Sequence, residues 1–151
     1  MKKTLIGCLV AGTVAMVILV ACVLLWVVRD LPALDATLSL PSEATVNSTV
    51  TMVVSTKNNH SEDVSLDSID IEEAFLEGFQ VVRIEPAPTD TYLVFSHRTW
   101  VFEKPVSPGA GLDVTFTLKV LQEGRFTGEI GVCNPNQDCK TLLADVVVKK
   151  E

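Results

Sequence analysis

The sequence has few of the residues from which catalytic and metal sites are built. Its 151 residues include only 2 histidines and 4 cysteines. His60 and His97 are isolated from each other and from other soft ligands, so we expect packing or surface roles rather than a zinc site. There is no nucleophile elbow, and Gly109 and Gly111 lack the further glycine and the lysine of a phosphate-binding loop. We therefore expect no enzyme, no cofactor and no metal.

Positive charge is also scarce. After residue 28 the chain has 10 basic and 19 acidic residues, a formal charge of −9. Seven of the acids lie in residues 62–77 without a base among them, which predicts a solvated acidic face. Such a balance repels phosphate backbones, so we expect no nucleic-acid partner, and it favours solubility or basic partners.

Charged side chains are absent from residues 4–28, an apolar segment of 25 residues. As a helix it would be about 37 Å long, enough to cross a bilayer core of about 30 Å. Lys2 and Lys3 before it favour a cytoplasmic N-terminus, and Trp26 suits a membrane interface. The sequence predicts a single-pass cell-membrane protein with residues 1–3 in the cytoplasm and the remainder outside it.

Processing of this segment is the alternative, because secretory signals also begin with basic residues and an apolar run. Leu19-Val20-Ala21-Cys22 resembles a bacterial lipoprotein box, in which Cys22 would be lipidated after cleavage. The apolar residues 23–28 that follow argue against it, since a lipoprotein usually becomes polar after its cysteine. An uncleaved anchor is the favoured hypothesis, with lipidation at Cys22 or another cleavage as alternatives.

Long amphipathic helices are missing from the rest of the chain, and short strand patterns take their place. Residues 29–40 predict a stalk and a first strand, and residues 41–151 one extracytoplasmic domain. Alternation of apolar and polar residues predicts strands at 48–57 and 112–120, and again after Gly124 and before the charged C-terminus. We expect the last three to form an antiparallel meander.

The centre of the domain has a weaker pattern. Residues 64–78 predict a strand followed by one helical turn, and the apolar runs 79–84 and 92–102 predict two further strands. About seven or eight strands with Pro and Gly turns indicate an all-β antiparallel sandwich. The aromatic residues expected in its core are Trp100, Phe102, Phe116 and Phe126.

One part of the sequence resembles a known architecture. Pro105-Val106-Ser107-Pro108-Gly109 leads into the strand 114–118, and Gly124-Arg125-Phe126-Thr127-Gly128 begins the next. These segments resemble the second half of prokaryotic cell-envelope immunoglobulin-like domains, including the CARDB-like modules. The resemblance implies an immunoglobulin-like fold over roughly residues 45–149 and assigns no functional residue.

Cys133 and Cys139 enclose the turn-rich residues 134–138, which suits a disulfide that closes a hairpin. So short a loop would contribute roughly 2 kcal/mol to stability. The alternative is thiol-disulfide exchange, as in the thiol-relay domain of the transmembrane reductase family, but the five-residue spacing argues against it. Asn134, Asn136 and Asp138 have the oxygen spacing of a calcium loop, yet a cysteine occupies the position of its required glycine.

The predicted membrane topology and the lack of a catalytic motif together predict the function class. We expect a membrane-anchored, extracytoplasmic, non-catalytic interaction or accessory module with a protein partner in the cell envelope. The alternatives are a thiol-disulfide exchange protein that uses Cys133 and Cys139, and an envelope lipoprotein lipidated at Cys22.

Overall fold

The computed structural model describes residues 34–150, which form two packed β-sheets. Along the chain the elements are β1 (Asp35–Ser39), β2 (Glu43–Thr45), β3 (Thr49–Lys57), β4 (Val64–Glu72), α1 (Glu73–Leu76), β5 (Phe79–Glu85), β6 (Asp90–Val94), β7 (His97–Val106), β8 (Gly111–Val120), β9 (Gly124–Cys133) and β10 (Cys139–Lys149). One sheet has the order β1-β3-β8-β5 and the other β2-β10-β9-β4-β7-β6. The all-β sandwich is confirmed, with ten strands in the described residues rather than seven or eight.

Alternation along the strands builds the core. In β3 the side chains of Val50, Met52 and Val54 are buried, while those between them are not. In β8, Phe116 is buried and meets Trp100 of the opposite sheet edge to face, with ring centroids 5.4 Å apart. The four aromatic residues expected in the core are buried.

The prediction of a meander of β8, β9 and β10 is wrong. β9 and β10 do form an antiparallel hairpin, but β8 lies in the other sheet, between β3 and β5. Alternation indicates which face of a strand is buried and does not indicate its neighbour, because both sheets bury one face. One pairing also departs from the antiparallel expectation, since β2 runs parallel to β10.

The single strand predicted over residues 92–102 is also wrong, because the chain reverses within it. β6 and β7 form a hairpin in which Val94 pairs with His97, so Phe95 and Ser96 alone make the turn. No Gly, Asn or Pro marks this turn. Phe95 adopts a positive φ of 52°, which bulky residues rarely do.

The strand and helical turn predicted over residues 64–78 are confirmed as β4 and α1. The helix packs on β9 at Gly128, where a Cβ atom would lie 2.8 Å from the Cβ of Phe75. The predicted Pro-Gly turn before β8 is present as well. Gly109 has a φ of 73°, and the N–H of Ala110 donates to the carbonyl of Ser107 at 2.9 Å.

The two ends of the sandwich carry different features. Asp35 pairs with Lys57, and the side chain of the adjoining Asn58 donates to the carbonyl of Val106 at 2.7 Å. We call this the Asp35 end, and the opposite end, which holds the β6–β7 turn, the Phe95 end.

Among residues 34–150, no helix has the length and apolar character needed to cross a bilayer. The anchor predicted at residues 4–28 and the lipidation alternative at Cys22 lie outside the described residues. β1 begins inside the segment predicted as stalk and first strand.

Candidate interaction surface

The sandwich is open along one side, between the edge strands β5 and β6. β5 and β6 are end strands of their sheets, and no strand among the described residues pairs with the outer edge of either. A groove of about 570 Å³ lies between them. Its apolar lining includes Leu76, Val81, Ile84, Pro88 and Trp100.

The charged side chains beside this groove are paired. The guanidinium of Arg98 donates to the Glu73 carboxylate, with Nε and Oε1 2.7 Å apart, and this hydrogen bond raises the pKa of Arg98. Arg83 and Glu85 form a second ion pair on β5. The open side therefore has an apolar lining and nearly balanced charge.

The β6–β7 hairpin borders the groove and exposes apolar side chains over residues 92–95. Tyr92, Leu93 and Val94 are 47%, 58% and 42% exposed, and Phe95 at the tip is 99% exposed. No charged residue lies between Asp90 and His97. Proteins usually protect an edge strand with charges, proline or a bulge, so this strand is open to pairing.

The outer face of the six-stranded sheet differs from the open side in charge. β4 carries Asp67, Asp70 and Glu72 and has no lysine or arginine. Glu72 accepts a hydrogen bond from the N–H of Glu129 at 3.1 Å. A cavity of about 220 Å³ lies over Asp70, whose buried Oδ1 has no hydrogen-bond partner within residues 34–150.

The structure brings Cys133 and Cys139 together. They are directly opposed on β9 and β10, and their Sγ atoms are 2.03 Å apart, as in a disulfide. The loop between them is held by Asn134, whose Oδ1 accepts hydrogen bonds from the N–H groups of Asn136 and Asp138 at 2.9 and 3.0 Å. The calcium-like spacing therefore reflects a hydrogen-bonded turn.

The surroundings of the disulfide bear on its chemistry. Cys133 is buried and Cys139 is exposed, and Oδ2 of Asp70 lies 3.4 Å from Sγ of Cys133. A disulfide sulfur has no proton to donate, so this is a contact rather than a hydrogen bond. Potential ligand atoms of the three residues lie within 4.8 Å of one another, but the two sulfurs are bonded to each other. The oxidised protein therefore offers a metal only the carboxylate.

The remaining residues that the sequence singled out are dispersed. His60 is exposed in the β3–β4 loop at the Asp35 end, and His97 begins β7 at the other. The acidic residues 62–77 do not form one solvated face, because Glu73 pairs with Arg98 and Asp70 is partly buried.

Sequence reasoning missed the apolar hairpin. Its only local signal is the polar group Ser96-His97-Arg98, which interrupts the apolar run. The exposure of β6 results from its place at the edge of the sheet, and this follows from strand order.

The fold is similar to that of several solved structures. No protein-family model matches the chain, and no curated protein matches its sequence. The CARDB domain of the PF1109 protein from Pyrococcus furiosus, solved in complex with di-metal ions, is 18% identical with a TM-score of 0.51, over 78% of this chain and 89% of that one. A cohesin module from a Clostridium perfringens family 33 glycoside hydrolase is 13% identical with a TM-score of 0.54, over 80% of this chain and 100% of that one.

A third similar structure belongs to an enzyme. AvmM, described as catalysing macrocyclization in alchivemycin A biosynthesis, is 10% identical with a TM-score of 0.53, over 80% of this chain and 91% of that one. At these identities the similarity shows the fold, and the fold alone does not assign an activity. The resemblance to CARDB-like immunoglobulin-like domains is confirmed at the level of the fold.

Proposed function

We propose that this protein is a membrane-anchored, extracytoplasmic, non-catalytic interaction module that binds its partner through the open side. The observation that carries the proposal is the uncharged, exposed segment 91–96 of the β6–β7 hairpin beside an apolar groove. An exposed apolar surface bounded by polar residues is typical of protein interaction sites. An unpaired edge strand also offers main-chain hydrogen bonds to an added strand.

The experiment is in-cell crosslinking of the full-length protein, followed by purification and mass spectrometry. An anchor-only chain that ends at Leu31 serves as the control for contacts within the membrane. Leu93→Lys places a charge on the hairpin, and Leu143→Lys is its matched control, because Leu143 is 71% exposed on the distant strand β10.

A partner captured by the wild type and by Leu143→Lys, but not by Leu93→Lys or by the anchor alone, would support the proposal. Equal capture by both lysine variants would refute the role of the hairpin.

The two alternatives make different predictions. Thiol-disulfide exchange needs a stabilised thiolate, and the Asp70 carboxylate beside Cys133 opposes one. A disulfide that resists mild reduction in the folded protein would agree with a structural role. Lipidation at Cys22 would change the anchor and leave the open side as it is. An intact mass lacking residues 1–21 and carrying a lipid would establish it.

A further inference from the structure

We propose that the partner at the open side is a second copy of this chain, joined through antiparallel pairing of the two β6 strands about a twofold axis at Tyr92. The inference rests on the proposed function and names the partner of the same surface. A twofold interface uses the same patch on both copies, so the patch must be complementary to itself. The backbone, side chains and charge of β6 meet this condition.

The backbone fixes the register of the pairing. β6 is bonded to β7 in the register Val94–His97, Leu93–Arg98 and Tyr92–Thr99. In an antiparallel ladder, residues that exchange backbone hydrogen bonds with the partner strand alternate with residues that do not. Val94 and His97 close the turn as a hydrogen-bonded pair, so Tyr92 also bonds to β7. Thr91 and Leu93 therefore direct their N–H and C=O groups away from β7. Pairing Thr91 of one copy with Leu93 of the other satisfies these groups and centres the interface on Tyr92.

The same register places the side chains favourably. Tyr92 would lie opposite Tyr92 of the second copy on the outer face, where aromatic cross-strand pairs are stabilising. Leu93 would lie opposite Thr91, which lines the groove, and so cover its mouth. Phe95 lies at the turn and lines the cavity over Asp70 rather than the groove. Each copy thus contributes the apolar side chain of Leu93 to the groove of the other.

Charge allows this approach at the open side and opposes it on the outer face. The open side has the ion pairs Glu73–Arg98 and Arg83–Glu85, and no charged residue lies between Asp90 and His97. The outer face of β4 carries three acidic residues without a base. Two copies that met through that face would bring like charges together, whereas antiparallel β6 strands place Asp90 opposite Val94.

The area suits a modest dimer that the membrane would favour. From the exposed fractions of Tyr92, Leu93, Val94 and Phe95, and about 150–250 Å² for each large aromatic side chain, the four residues offer roughly 450 Å² per copy. Two copies would bury at most roughly 900 Å² before groove walls are added, just under the ~1,000 Å² expected of a specific interface. Confinement of both copies to one membrane raises their effective concentration.

The test is photo-crosslinking of the full-length chain in cells, with p-benzoyl-phenylalanine replacing Tyr92. Thr141, on the outer face of β10, is the control position. Two differently tagged copies are co-expressed, and the crosslinked peptides are identified by mass spectrometry. With the crosslinker at position 92, we expect an adduct that joins residues 84–98 of one copy to residues 84–98 of the other. The yield of homodimer adduct from position 141 should be at least fivefold lower.

Two variants test the pairing itself. Leu93→Pro removes an N–H that the intrachain hairpin does not use, and edge strands tolerate proline at such positions. Leu93→Lys keeps the N–H and adds like charges to the interface, so it serves if the proline variant does not fold. Both should reduce the adduct at least fivefold, and Leu143→Lys should leave it unchanged.

The outcomes separate this inference from the proposed function. An adduct from position 92 to a different protein, lost in Leu93→Lys, would overturn self-association and retain the interaction module. If homodimer adducts formed in equal yield from positions 92 and 141, they would reflect random collisions and overturn the pairing. A yield from position 92 that Leu93→Lys left unchanged would overturn it as well. No adduct of any kind from position 92 would contradict both.

Discussion

Replacing Gly128 by alanine tests the packing of α1 against β9. A Cβ at this position would lie 2.8 Å from the Cβ of Phe75 and 3.2 Å from the Cβ and Oε2 of Glu72. Carbon atoms in contact prefer separations of about 3.5–4.0 Å, so the helix must move by nearly 1 Å. Phe75 is fully buried and stacks on Phe79 with centroids 4.9 Å apart, which leaves it little freedom to move.

The expected magnitude follows from three effects. Overpacking a core costs about 1–3 kcal/mol. Moving Glu72 also disturbs its hydrogen bond from Glu129, at about 0.5–1.5 kcal/mol. Replacing glycine returns about 0.4–1 kcal/mol, because the unfolded chain loses freedom. The free energy of unfolding should therefore fall by about 2 kcal/mol, which moves a urea midpoint down by roughly 1 M.

Gly131 provides the matched control on the same strand. A Cβ there would be 3.6 Å from the Cβ of Asp70, an ordinary contact, so Gly131→Ala should keep or slightly raise stability. Urea unfolding of the detergent-solubilised full-length chain, followed by the fluorescence of the buried Trp100, measures both variants. Equal midpoints for the two alanine variants would refute the packing explanation.

Three further changes have defined expectations. Phe95→Gly should raise thermal stability by about 1 kcal/mol, because glycine accepts the φ of 52° and Phe95 buries nothing; a lower melting temperature would contradict this. Replacing Cys133 and Cys139 together by serine should reduce stability by about 2 kcal/mol without loss of function, since the disulfide closes a short loop; loss of cellular function at full stability would instead favour thiol exchange. The hydrogen bonds from Arg125 lower the pKa of Asp145, so their stabilisation is present above the ordinary pKa of 3.8 and is lost as pH falls through the lowered value. Asp145→Asn should therefore melt below the wild type at neutral pH, and melting curves should show this difference shrinking as the pH falls below 3.8.

The strands and their buried faces were predictable because alternation is local. β3 and β8 bury the residues that the sequence pattern selects, and the Pro108-Gly109 turn has the geometry that these residues favour. The disulfide partners could also be named, because only two cysteines follow residue 28. These features depend on neighbours in sequence.

Strand pairing and exposure were not predictable because they depend on distant parts of the chain. After β8 the chain crosses to the six-stranded sheet at Leu121, whose N–H donates to the carbonyl of Gly78 at 2.9 Å. The turn at Phe95 lacks turn residues, and its geometry is accompanied by a hydrogen bond from the N–H of Glu73 to the carbonyl of Ser96 at 2.8 Å. The apolar residues of β6 look like core residues in sequence, and only strand order shows that they lie at an edge.

The four edge strands of the described sandwich differ in how they are protected against pairing with another chain, and β6 is the least protected. β2 has only three residues, and its first residue, Glu43, forms an ion pair with Lys149 at 2.6 Å. β5 has a register shift and carries Arg83 and Glu85. β1 and β6 each have five residues and one charged residue, at the first position, but β1 buries Ala36 whereas β6 exposes Tyr92, Leu93 and Val94. Charge, a bulge or short length protects β2 and β5, so the chain can supply these defences. A lysine at position 93 should therefore leave the monomer intact and remove only the association, which is the result expected of an edge kept open for a partner.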